Sequence, residues 1–191
     1  REKWLSYFLT ESTENQDALN VMAQNYKNQG DIWPETSQYL NHSTAILTKL
    51  MLVINRYKPE LKLGKRYSNI LYALPRLDYF VYPNNEIVRW GDGHRKAHAP
   101  YEAYDNAYAL AKMEGLIDLE EKFAPLIKRA MTKGKYHRES PEALFWYANI
   151  TTKGGSKIQL PRTDRVYHAG IVMQRNLSST NNPKDGLMCF V

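Results

Sequence analysis

The sequence predicts a mainly α fold: a stack or ring of helical hairpins over residues 1–150, followed by a β portion over 151–191. Three observations carry this. Apolar residues recur at i, i+3 and i+4 through most of the first 150 positions. Helix-ending residues punctuate them, at Gly30, Pro59, Gly115 and Gly134. After Ile150 the pattern changes to a Gly- and Thr-rich link and then to short apolar runs of strand character.

Each element follows in order. A helical apolar pattern is already under way in REKWLSYFLT at residue 1. A helix over 13–29 would bury Leu19, Met22, Ala23 and Tyr26 on one face. A long helix over about 35–57 would bury a stripe of Tyr39, Ser43, Ile46, Leu47, Leu50, Ile54 and Tyr57. YSNILYALPRLDYFV reads as a helix bent or broken at Pro75, because proline has no amide proton and crowds the preceding turn. YPNNEIVRWGDGHRKAHAP reads as a polar loop with a short strand at EIVRW. Helices follow at 101–114 and 117–132, then a shorter one at 140–148 opened by Ser140-Pro141-Glu142. TTKGGSKIQLPRTD is linker-like, and RVYHAGIVMQRN and DGLMCFV read as strands separated by LSSTNNPK. About 40 residues of strand pattern cannot close a two-sheet sandwich by themselves.

The 191 residues suffice for one sizeable domain or one and a fraction. The net charge of +6 and pI near 9.2 favour an acidic partner. Nucleic acid is disfavoured, because the basic residues are scattered and no RNA-binding motif is present. One cysteine, Cys189, excludes an internal disulfide framework. No run of about 18 apolar residues exists, so no membrane-spanning helix is expected, and no signal peptide is readable. There is no initiator Met, and DGLMCFV reads as an unfinished strand. Both ends read as cut, and the expectation is a fragment of a longer protein. Oligomeric state is not readable.

Two stretches could carry chemistry. In GDIWPETSQYLNHSTAILTKLM, Pro34 suits the first helical position, and Glu35 and Thr36 suit the helix N-terminus. Tyr39 then lies about one turn in. It either packs in the core with a satisfied hydroxyl or projects from the helix mouth into a cleft. RWGDGHRKAH gathers Arg89, Trp90, Asp92, His94, Arg95, Lys96 and His98. Its cations could neutralise a carboxylate or sulfate, and Trp90 could stack on a sugar. It reads equally as a solvated loop. Asp92, His94 and His98 match no standard metal spacing. His168 sits in a strand context that suits a structural residue, and Trp146 and Tyr147 read as packing. Asn41, Asn149 and Asn176 each open an N-x-S/T sequon, a pattern frequent by chance. No phosphate-binding glycine loop or G-x-S-x-G elbow is present.

The first stretch resembles the helix of heparinase II/III-like polysaccharide lyases that opens on D-G-x-x-x-E-x-x-x-Y. Gly30 and Asp31 stand here in reverse order, while Glu35 and Tyr39 keep their places. YPNNEIVRWGDGHR looks like the polar segment of that family's next hairpin, and RVYHAGIVMQRN with DGLMCFV looks like the start of its β-sandwich. The resemblance implies an incomplete α/α toroid followed by the first strands of a β-sandwich. It implies cleavage of a uronate polysaccharide, such as the glycosaminoglycans heparin and heparan sulfate, by β-elimination. That reaction needs a group to neutralise the uronate carboxylate, a base for the C5 proton and an acid for the leaving oxygen. Tyr39 matches the family's catalytic tyrosine. A free phenol ionises near about pH 10, so nearby cations would be needed for it to act as a base.

Trp33, Glu35, Arg89, Trp90, His94 and Arg95 are the expected substrate-binding residues. The carboxylate-gripping Asn or His would fall before Arg1, and a histidine cluster just past the end. The 191 residues alone are therefore expected to be inactive. No cofactor is implied in this segment, although the missing β-sandwich portion could hold a structural divalent metal. The expected partner is an acidic polysaccharide and the expected location periplasmic or secreted. Two other readings stand beside this one. One is a non-catalytic carbohydrate-binding or structural toroid, and the other is a helical protein-interaction scaffold.

Overall fold

The computed structural model describes residues 1–26, 32, 37–80, 87–88, 99–139, 141–151, 162–167, 170–175 and 188–189. The helices are α1 (Glu2–Leu9), α2 (Leu19–Met22), α3 (Ser37–Tyr57), α4 (Leu63–Arg66), α5 (Ser68–Ala73), α6 (Tyr101–Glu114), α7 (Ile117–Thr132) and α8 (Glu142–Trp146). Strands β1 (Thr163–Val166), β2 (Ile171–Arg175) and β3 (Met188–Cys189) form one antiparallel sheet in sequence order. The chain is mainly α, with paired helices followed by strands, as the sequence predicts.

The core is built around α6. Residues 103–111 are all buried, so this helix is enclosed on every side. Its alanines at 103, 107, 109 and 111 let neighbouring helices approach closely, with α3 on one flank and α7 on another. Both α6 and α7 stop by the same device. Gly115 takes a left-handed conformation (φ 67°), and the amides of Leu116 and Gly115 return to the carbonyls of Ala111 and Lys112. Gly134 (φ 63°) repeats this, with Lys135 bonded to Ala130 and Gly134 to Met131.

The relative direction of α3 and α6 follows from two contacts. Lys49, midway along α3, pairs with Glu102 in the first turn of α6 at 3.7 Å. Glu114, the last residue of α6, accepts the amides of Gly64 and Lys65 at 2.8 and 2.7 Å, just past the end of α3. The two helices therefore run the same way, with the start of α3 overhanging the start of α6.

Three expectations are corrected, and the break at Pro75 is given its form. The helix expected over 13–29 is confined to α2 and a 3-10 turn over Ala23–Tyr26. Upstream, Ser12 accepts the amide of Ala18, and Thr13 and Gln16 form a small bridge. Such local bonds compete with helix. Leu19 and Tyr26 are nonetheless buried.

The buried stripe of α3 is Leu40, Thr44, Leu47, Thr48, Met51, Leu52 and Asn55, whereas Tyr39, Ile46, Leu50 and Tyr57 are exposed. The polar members tolerate burial because their groups are satisfied. Thr44 and Thr48 donate to carbonyls one turn back, and Asn55 accepts the amide of Leu63 at 2.8 Å.

Beyond Ala73, at Pro75, the predicted bend is a tightening into a 3-10 helix, Leu74–Tyr79. RVYHAGIVMQRN holds two strands rather than one. Val166 pairs with Ile171 and Thr163 with Gln174, and Gly170 (φ 65°) returns its amide to Tyr167. Of EIVRW only Ile87 and Val88 are described. Both are buried, and Val88 donates to the carbonyl of Phe80 at 2.9 Å.

The sheet is not separate from the helices. Val166, Ile171 and Met173 join the same apolar core. Arg76, in the 3-10 helix, pairs with Asp164 and reaches the carbonyl of Arg165 at 3.2 Å.

Candidate functional site

Tyr39 stands in the first described turn of α3 and is 54% exposed. Its neighbour Leu40 is buried, and Thr44 ties back to Leu40's carbonyl, so the turn is anchored from the core side. His42, one turn on, is also exposed. Ten residues separate Tyr39 from Lys49, which is about 15 Å of helix. Since Lys49 meets the first turn of α6, Tyr39 lies well beyond the start of α6. This is also the end at which the chain enters α6 through Ala99, which is buried.

Val88 and Ala99, the neighbours in sequence of the polar run 89–98, are both buried. Trp33, Glu35, Arg89, Trp90, His94 and Arg95 lie outside the described residues, as do Asp92, His98 and His168. Of the expected site residues, the structure therefore places Tyr39. Among the described residues no three His, Cys, Asp or Glu side chains gather as a metal cage. None of the described helices is long and apolar enough to cross a membrane.

A second arrangement was not foreseen from the sequence. The chain leaving α8 runs without regular structure over 147–151, and side chains hold its carbonyl oxygens. Arg56 donates to the carbonyls of Phe145 and Trp146, the latter at 3.1 Å. Arg138 donates to that of Ala148 at 3.1 Å. Lys112 and Tyr108 both donate to that of Asn149, at 2.8 and 3.3 Å, and Lys112 also reaches the Thr151 hydroxyl at 3.0 Å. Lys49 sits 5.1 Å from the centre of the Trp146 ring, and Arg138 5.3 Å from that of Tyr147. Both are cation–π contacts.

Beneath this strap, fully buried Asp105 takes both ends of the Arg138 guanidinium, at 2.6 and 2.5 Å, and the Tyr136 hydroxyl at 3.0 Å. Burial, and then the Asp105 charge, push the Tyr136 phenol well up, which keeps it a proton donor in that bond. The sequence signal for the strap was thin: Lys49 and Arg56 stand seven residues apart, two turns along α3.

Comparison with known proteins follows this geometry. Residues 29–161 match the family model described as the endo-acting ulvan lyase second domain, a match running from before α3 to beyond the strap. An endo-acting ulvan lyase from Formosa agariphila is 28% identical over 199 residues, covering 98% of this chain and 24% of its own length. The chain thus spans about a quarter of that relative. No solved structure matches it. With the family model covering well over half of its residues, the chain belongs to the endo-acting ulvan lyase second-domain family.

Proposed function

We propose that this chain is part of a lyase that cleaves an acidic, uronate-containing polysaccharide by β-elimination, with Tyr39 as the proton donor to the leaving glycosidic oxygen. The observation that carries the reading is the exposed phenol at the overhanging end of α3, within the region matched to the lyase family. In the reaction a base removes the C5 proton, the C4–O bond breaks, and a C4–C5 double bond forms. The oxygen that leaves C4 takes a proton, which a phenol can donate at neutral pH. Arg89, His94 and Arg95 are the proposed partners of the uronate carboxylate, Trp33 and Trp90 the sugar-stacking groups, and Glu35 a further substrate contact.

Ulvan, the substrate in the relative's name, is the first polymer to test. A glycosaminoglycan such as heparin or heparan sulfate, which the heparinase II/III-like reading favours, is the second. Residues 1–150 and 151–191 serve in this reading as parts of a helical and a β domain, and the polymeric substrate implies a periplasmic or secreted enzyme. The rest of the catalytic set lies elsewhere in the longer protein, so the 191 residues alone do not turn over.

The test is Tyr39→Phe in the full-length polypeptide, read by the absorbance of the unsaturated uronate product. Cleavage lost with binding retained supports the lyase role. Unchanged cleavage removes Tyr39 from the mechanism. The exposed apolar line of Ile46 and Leu50 beside Tyr39 favours a second reading, a non-catalytic or structural helical toroid. That reading predicts no uronate product from either protein.

A further inference from the structure

We infer that Arg56, Tyr57 and Phe145 form a distal contact for the anionic sugar chain, remote from Tyr39 on the same helix. This rests on the lyase reading above and adds a binding point that neither the family match nor the sequence assigns.

The first observation is charge. Arg56 is exposed, and its guanidinium spends two of its five N–H groups on the carbonyls of Phe145 and Trp146. Among the described residues it meets no carboxylate. Lys112, further along the strap, likewise bonds a carbonyl and a hydroxyl rather than an acid. Elsewhere around the strap the cations are paired, Lys49 with Glu102 and Arg138 with Asp105. Among the described residues neither Arg56 nor Lys112 has a carboxylate partner, and the carbonyl pair fixes the Arg56 plane. A planar, oriented guanidinium recognises carboxylate or sulfate.

The second observation is aromatic surface. Phe145 is 68% exposed although its own carbonyl is held by Arg56, and Tyr57 is exposed in the last turn of α3. Tyr57 follows Arg56 in the chain and Phe145 carries a carbonyl that Arg56 holds, and exposed rings of this kind offer a flat apolar face to a sugar.

The third observation is position. Tyr57 stands eighteen residues after Tyr39, about five helical turns or 27 Å, so the two phenols lie on one line along α3. Only a chain of several sugar units reaches both. Duplex nucleic acid would also answer to the charge, but it makes no use of the exposed Phe145 and Tyr57 rings.

The experiment uses the full-length polypeptide with Phe145→Ala and Arg56→Gln. KM and kcat are measured on long ulvan and on oligosaccharides too short to span the two points. Both variants should raise KM on the long polymer about tenfold, the loss of one charged or stacked contact, with kcat unchanged. The effect should be absent on the short substrates. An equal change at both lengths, or none, overturns the proposal. Phe145→Ala keeps every carbonyl the strap uses, so it remains decisive if Arg56→Gln loosens the fold.

Electrophoresis through gels containing ulvan, with duplex DNA as a second polyanion, needs no cleavage. Retardation by ulvan that weakens in both variants supports the contact even if the lyase reading fails. Equal retardation of wild type and variants, no retardation at all, or equal loss on DNA overturns it.

Discussion

Asp105 and Arg138 form a two-pronged ion pair across the flank of α6, with the carboxylate fully buried and the guanidinium largely so. The pair joins the most enclosed helix of the molecule to the turn after α7, and through Ala148 to the strap. Removing one partner leaves the other as an unpaired charge in the interior. Asp105→Ala should lower the unfolding free energy by about 3–5 kcal/mol, measured by urea denaturation. The double change Asp105→Leu with Arg138→Met should recover most of that loss, since an apolar pair needs no compensation. A single variant that unfolds at the wild-type urea concentration would show that the pair contributes nothing.

Glu114 and Gly64 give a second test. A Cβ at residue 64 would sit 3.1 Å from the Glu114 carboxyl carbon and 3.1 Å from Leu110 Cγ. The carboxylate cannot swing away freely, because it holds the amides of Gly64 and Lys65 at the start of α4. Gly64→Ala should cost about 1–3 kcal/mol. Combined with Glu114→Ala, the added cost of the methyl group should shrink by at least about 0.5 kcal/mol. Strict additivity of the two changes in thermal or urea unfolding would contradict the coupling.

High pH gives a third. Burial raises the phenols of Tyr26 and Tyr104, and burial followed by the Asp105 charge raises that of Tyr136. A raised phenol means that the fold prefers the protonated form. The stability these groups contribute is complete below about pH 10, where the unfolded chain's phenols are also protonated. It is lost as pH rises through the folded-state values. The share of phenolate absorbance from these buried tyrosines should therefore appear late, together with loss of helical circular dichroism. Tyr104 has a further feature, because its buried hydroxyl has no hydrogen-bond partner among the described residues. Tyr104→Phe should hold or raise stability at pH 7 by up to about 1 kcal/mol, and should move the alkaline transition upward. Titration of every phenol at the ordinary value, with the helices intact, would refute this.

The helical half was legible where local rules decide the outcome. Gly115 and Gly134 mark ends that need a left-handed residue, and α6 and α7 stop just before them. The face of α3 was misread because counting apolar residues passes over Thr44, Thr48 and Asn55. Their hydroxyl and amide groups are satisfied within the helix or by its neighbour, so burial costs little. The hairpin of β1 and β2 was read as one strand because one glycine, Gly170, makes the reversal. At the candidate site the motif gave Tyr39 its place at a helix opening, and its exposure needed coordinates. The strap left little trace in the pattern beyond the Lys49–Arg56 spacing, since bonds to backbone oxygen impose no residue type on residues 145–149.

That indifference has an evolutionary reading. Arg56, Tyr108, Lys112 and Arg138 grip oxygens that any amino acid supplies. The outward side chains at Leu144 and Phe145 are therefore free to drift while the strap stays held against α3 and α6. Lineages facing different polymers could retune this surface one residue at a time, whereas the four donors would tolerate little change.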